Sequence, residues 1–240
     1  MKFRLKTSIP ILVALTCAGL SHPAHAVDPN AYVYIAHAAA GRNISSTTNP
    51  EYPVDIAMGG HCVAQGLSFG EIRGPFTQPA GNYTVKMSAA DAVNPCGGAA
   101  VFSATVALAA GSTSMGMIEV NSAHQVMGQL LAVDLSAVPV GRGRLIVANV
   151  SPNNLTGVLT VGDSNSSPIS QNFAAGTVTE VLPGGGEYSA TVYPEGSSTA
   201  ASGPIELNLV SRNVYLVVLA GSTSNGSVQI IGPHVIRGVF

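Results

Sequence analysis

Soft metal ligands and a thiol crowd into "DIAMGGHCVAQGLSFG", residues 55–70 of the 240-residue chain. Met58, His61 and Cys62 flank two glycines there, and Met87, Met115, Met117, His124 and Met127 follow within the first half. Thioether and imidazole groups favour copper, and copper sites occur on β-sandwiches. The spacing argues against such a site, because no His-x-His, Met-x-x-Met or Cys-x-x-Cys occurs. Met at alternate strand positions is also ordinary core packing. A copper site built from His61, Met58, Met87, His124 and Met127 is therefore the alternative reading. The leading one makes "MGGHC" a two-residue hairpin turn, with Gly59 and Gly60 supplying the positive φ angles and His61 exposed beside it.

Cys62 and Cys96 are the two cysteines beyond residue 26. In an exported chain such a pair is expected to form a disulfide, with free thiols or metal ligation as the alternatives. Neither Ser-x-x-Lys nor His-Glu-x-x-His accompanies them. Asp55, Glu71 and Asp91 lack a partner carboxylate placed for glycosidase chemistry. The glycines of "PGGGEY" have no following helix or nearby Lys, so they read as a turn rather than a phosphate cradle. No enzymatic activity and no cofactor are expected. His37, at a strand end, is read as a structural histidine.

Export is expected from the N-terminus. Lys2, Arg4 and Lys6 precede the apolar run "IPILVALTCAGL", and Ala24 and Ala26 hold the small-residue positions of a cleavage site. Residues 1–26 are thus a signal peptide cut after Ala26, and the chain is placed in the periplasm or outside the cell. Cys17 sits in "ALTC", a poor match to a lipidation site. Beyond residue 26 remain seven Lys and Arg against twelve Asp and Glu, a net charge of −5. No basic stripe invites nucleic acid, and no later apolar run is long enough to span a membrane. Trp is absent, which removes the usual stacking platform.

Short apolar runs separated by Gly and Pro clusters recur along the chain, several alternating with period two, as in Tyr83, Val85 and Met87. The second half repeats the first. "YIAHAAAG" matches "IVANVSPN", placing His37 over Asn149. Tyr83 matches Tyr188, Leu108 matches Leu209, and "QLLAVD" matches "QIIGPH". The expected fold is all-β: two tandem immunoglobulin-like sandwiches of about seven strands each, over 27–139 and 140–240, each burying its own inward stripe. Six Asn-x-Ser/Thr sites, at Asn43, Asn82, Asn149, Asn154, Asn165 and Asn225, suggest polar loops and edges. The last residues, "PHVIRGVF", read either as a strand or as an export tail.

"YVYIAHA", "PVDIAM", "GLSFG" and "PAGNYTV" together resemble the bacterial domain-of-unknown-function 4397 family. His37, Val54, Asp55, Leu67, Phe69, Gly70, Pro79, Ala80, Gly81 and Tyr83 hold the family's places in the first copy. Pro152, Pro183, Gly184 and Tyr188 do so in the second. The resemblance implies an extracellular immunoglobulin-like module with no catalytic residues to carry over. The expected function is a non-enzymatic adhesive or scaffolding module of the cell envelope. Its protein or cell-surface partner is unspecified, and Thr- and Asn-rich edge strands are available for pairing.

Overall fold

The computed structural model describes residues 28–45, 47–49, 51–121, 123–161, 167–223 and 228–236. The expected signal peptide lies outside them. The first half holds β1 (Asn30–His37), a single helical turn α1 (Gly41–Ile44), β2 (Val54–Met58), β3 (His61–Leu67) and β4 (Ile72–Pro79). It continues through β5 (Gly81–Ala89), β6 (Ala100–Leu108), β7 (Thr113–Val120) and β8 (Val126–Ala132). The second half repeats the strands as β9 (Arg144–Asn149), β10 (Leu155–Val161), β11 (Ile169–Phe173) and β12 (Thr177–Val181). It closes with β13 (Gly186–Pro194), β14 (Ser202–Leu209), β15 (Val214–Ala220) and β16 (Gln229–Ile236).

The four sheets run β4-β1-β7-β8 and β3-β2-β5-β6 in the first half, then β12-β9-β15-β16 and β11-β10-β13-β14 in the second. The two orders are the same pattern. Each repeat therefore has eight strands, one more than the apolar runs suggest. The missed strand is β4, "IRGPFTQP". Its two prolines read as turn chemistry, yet it is an edge strand, where a missing N–H is tolerated. The repeat register holds through most of the chain: Tyr32 faces Thr113 as Arg144 faces Val214, and Gly81 faces Leu108 as Gly186 faces Leu209. The last strand is the exception. Met117 pairs with Gln129 and its counterpart Val218 with Ile231, an offset of 102 rather than 100; past the bulge in β16 it becomes 103, since Met115 pairs with Leu131 and Leu216 with His234. Before the bulge, the slip of two keeps each side chain on its face, which is why period two alone could not detect it.

Each sandwich buries its inward stripe as expected, but the repeats also share a core that the sequence did not reveal. All of β9 and β15, and most of β1 and β7, are buried on both faces. One core lies between β2, β3, β5, β6 and the inner face of β1 and β7; a second lies between the matching strands of the other repeat. A third joins the repeats. There Tyr34, Ala36, Ala38, Met115 and Met117 pack in one cluster with their counterparts Ile146, Ala148, Val150, Leu216 and Val218. Equivalent faces meeting each other require an approximate two-fold relation. The molecule is thus four layers deep, and its two central sheets are covered on both sides. Parallel pairs β1–β7 and β9–β15 lie at the centre of those sheets, where double burial explains the unbroken apolar run "VYLVVLA". The outer strands β5 and β6 alternate because one face is wet.

Candidate functional site

The "MGGHC" turn folds as its residues dictate. Met58 pairs with His61, and Gly59 and Gly60 take φ of 59° and 86°. His61 is exposed. Cys62 is bonded to Cys96, with Cα atoms 5.7 Å apart and a sequence separation of 34. Closing a loop of that length stabilises by about 4 kcal/mol in the chain-entropy model.

The disulfide lies above a buried carboxylate. Asp55 is 2% exposed on β2. It accepts backbone N–H bonds from Gly66 (2.8 Å), Cys96 (3.0 Å) and Asp91 (3.1 Å). Burial alone would raise its pKa, but those three donors outweigh it and hold the carboxyl below its ordinary value. Sequence reading placed Asp55 among unpartnered acids and missed this role. The available signal was an acid inside the apolar strand "PVDIAM". In the second repeat Thr156 holds the position and no disulfide is present; its hydroxyl donates to the Asn172 side chain.

His37 ends β1 fully buried. Its Nε2–H donates to the Tyr52 carbonyl (2.8 Å), while Nδ1 accepts the Ala39 N–H (3.2 Å). Those two partners define a neutral ring with the proton on Nε2. Asn149 does the same work in the second repeat: its Oδ1 accepts the Ser151 N–H, and its amide donates to Asn153 and Phe173 carbonyls. The two residues are one structural device in two chemistries, each pinning the loop that leaves the central sheet. Burial is the leading effect on His37 and pushes its pKa down, against weaker opposition from the Tyr52 carbonyl and Glu71.

A pH dependence follows. Around pH 6.5, the ordinary histidine value, the unfolded chain takes up a proton before folded His37 does, so stability falls as pH drops below that point. Protonation also ends acceptance at Nδ1, a loss of roughly 1 kcal/mol. Urea midpoints at pH 7.5 and 5.5 are expected to show this loss in the wild type and a smaller one in His37→Asn. His234, also pushed down by burial, accounts for acid sensitivity remaining in that variant. An identical pH response in both proteins would refute the assignment.

The copper alternative is not assembled. Met58 and Met87 lie in the first repeat's core, 2% and 0% exposed. Met115 and Met117 lie in the core between repeats. Met127 is exposed on β8, and the His124 Nδ1–H donates to the Asn43 carbonyl at 2.6 Å. Among the described residues no three His, Cys, Asp or Glu side chains converge on a metal position. The glycosylation-like motifs also divide: Asn82 and Asn154 are exposed, but Asn43 and Asn149 are buried. Asn165 and Asn225 lie outside the described residues.

A third buried node fastens the segment between the repeats. Arg144, 5% exposed, donates to the carbonyls of Asp134 (3.0 Å) and Ser136 (2.8 Å) and pairs with Glu180 at 3.0 Å. Sequence reading did not single it out.

The family model described as domain of unknown function (DUF4397) matches residues 31–156, from the start of β1 into β10. No curated protein matches. The solved structure of the Bacillus anthracis TIE protein is similar at 11% identity over 81% of this chain and 33% of that one, with a TM-score of 0.25. This chain thus spans about a third of that protein's length.

Proposed function

We propose, from the premise that the chain belongs to the DUF4397 family of domains of unknown function, that it is an exported, non-enzymatic interaction module which binds a protein partner by strand addition at β6. The buried polar side chains support a holding role rather than a chemical one: His37, Asp55, Arg144 and Asn149 each spend their bonding capacity mainly on backbone groups of loops. The disulfide fits an oxidising compartment, as does the signal-peptide reading of residues 1–26.

One observation carries the choice of β6. It is a nine-residue edge strand, "AVFSATVAL", with no charge and no proline. Apart from the shorter β8, the other edges are guarded in ways that discourage strand addition. Arg73 donates to the Gln65 and Gly66 carbonyls of β3. Pro75, Pro204 and Pro233 interrupt β4, β14 and β16, while β11 and β12 are five residues long. Beside β6 lies β8, and Phe102 is laid so closely over Gly128 that a Cβ there would stand 2.5 Å from the ring. A cavity of about 70 Å³ opens beneath, lined by Met87, Val106 and Leu130 among others, and a partner's apolar side chain would fit it.

Crosslinking in the native cell envelope tests this reading. Thr105→Lys places a charge on the free edge opposite Thr84. It is expected to abolish the wild-type crosslinks, whereas Thr191→Lys on the second repeat leaves them. Crosslinks that survive Thr105→Lys would eliminate β6 as the docking edge.

A further inference from the structure

The loops at one end of the second repeat form an apolar and cationic tip on an otherwise acidic chain. Val140, Leu182 and Val210 are 74%, 40% and 54% exposed. Backbone bonds hold them together. The Arg212 N–H donates to the Arg142 carbonyl (2.7 Å), the Arg142 guanidinium donates to the Leu182 carbonyl (3.0 Å), and the Gly141 N–H donates to Ser211 Oγ (2.8 Å). Arg142 and Arg212 are themselves exposed, and among the described residues neither makes an ion pair with a carboxylate. The chain has only ten Lys and Arg in all, so two guanidiniums without a carboxylate partner beside three exposed aliphatic side chains are a marked concentration.

The first repeat shows that the fold does not need Val210 or Arg212. The β14–β15 turn "VSR", 210–212, corresponds to "AAG", 109–111, between β6 and β7. Both turns close with the same bond, Asn213 N–H to Val210 carbonyl and Ser112 N–H to Ala109 carbonyl, each 3.2 Å. Gly111 and Arg212 share a φ of 69°. Glycine adopts that left-handed conformation freely and arginine does so at a cost. The second repeat therefore carries a cation where the backbone would prefer glycine, and a Val where Ala suffices. Costly placement of an exposed residue points to use rather than stability.

The geometry points to a docking tip for an anionic phospholipid surface, with Val140, Leu182 and Val210 entering the interfacial layer and Arg142 and Arg212 meeting lipid phosphates. Such a surface is apolar below and anionic above, matching aliphatic tips ringed by guanidiniums. Two cations and three small side chains suit reversible, salt-sensitive attachment. This inference does not rest on the strand-addition reading, since the tip belongs to the other repeat.

Vesicle sedimentation tests it, using the chain from Val27 onward, which contains every described strand. Binding to 3:1 phosphatidylcholine–phosphatidylglycerol vesicles is expected to exceed binding to pure phosphatidylcholine by about fivefold or more. Raising NaCl from about 50 to about 500 mM should remove most of that difference. Arg142→Gln with Arg212→Gly should lower anionic binding about fivefold. Arg212→Gly restores the residue the first repeat uses, so an unchanged circular-dichroism spectrum is expected to show that the loss is not unfolding. Val140→Ser with Leu182→Thr and Val210→Ala should lower binding comparably. Equal binding to both vesicle types, or indifference to both variant sets, would overturn the proposal. So would retention on immobilised polyglutamate without vesicle binding, which would assign the tip to an acidic polypeptide.

Discussion

Asp55→Ala is expected to cost about 4 kcal/mol, read as a lowered urea midpoint with little change in slope. Three backbone N–H groups, on Gly66, Asp91 and Cys96, lose their acceptor at once. They belong to the bulged end of β3 and to the loop that carries the second half-cystine, so the disulfide holds those segments in place while they remain unsatisfied. Buried donors without acceptors are the expensive outcome of such a deletion. Asp55→Asn keeps one oxygen but turns an amide toward two donors, so it should recover only part of the loss. The pH profile separates the carboxylate from mere packing. The folded pKa lies below the ordinary aspartate value. The stabilisation is therefore complete above about pH 4, the unfolded value, and is lost as pH falls through the folded one. Asp55→Asn should lack that part of the acid transition. A variant within about 1 kcal/mol of wild type would mean that water replaces the carboxylate readily.

Leu216→Ala should cost 3 to 4 kcal/mol, about the usual price of a leucine-sized cavity. Leu216 is fully buried, yet it belongs to neither sandwich interior. It packs between the repeats with Met115, its counterpart across the approximate two-fold. Met115→Ala should therefore cost a similar amount. Because the central core is shared, both repeats are expected to unfold in one calorimetric transition in the wild type. Two resolved transitions, with Leu216→Ala shifting only the later repeat, would show that the sandwiches are independent.

Much of this architecture was legible in the chain. The offset between halves, the tyrosines whose hydroxyls bond four residues back to Pro79 and Gly184, and the double-glycine turn are all local features. They follow from turn chemistry and period-two patterning, which the backbone obeys within a few residues. The eighth strand was hidden because β4 carries turn-like residues that only an unpaired edge permits. The shared core was hidden for another reason. A run such as "VYLVVLA" records that both faces are covered, but not what covers them.

Sequence alone determined that the chain is a duplicated, charge-poor β protein with one pair of cysteines beyond residue 26. Tertiary structure decided which face of each repeat meets the other, what Asp55 and His37 hold, and that Arg142, Arg212 and three aliphatic side chains come together at one end. Strand formation depends on neighbours a few residues apart, whereas these contacts join segments 11 to 200 residues distant. Chain separation carries no record of such proximity until the sheets have stacked.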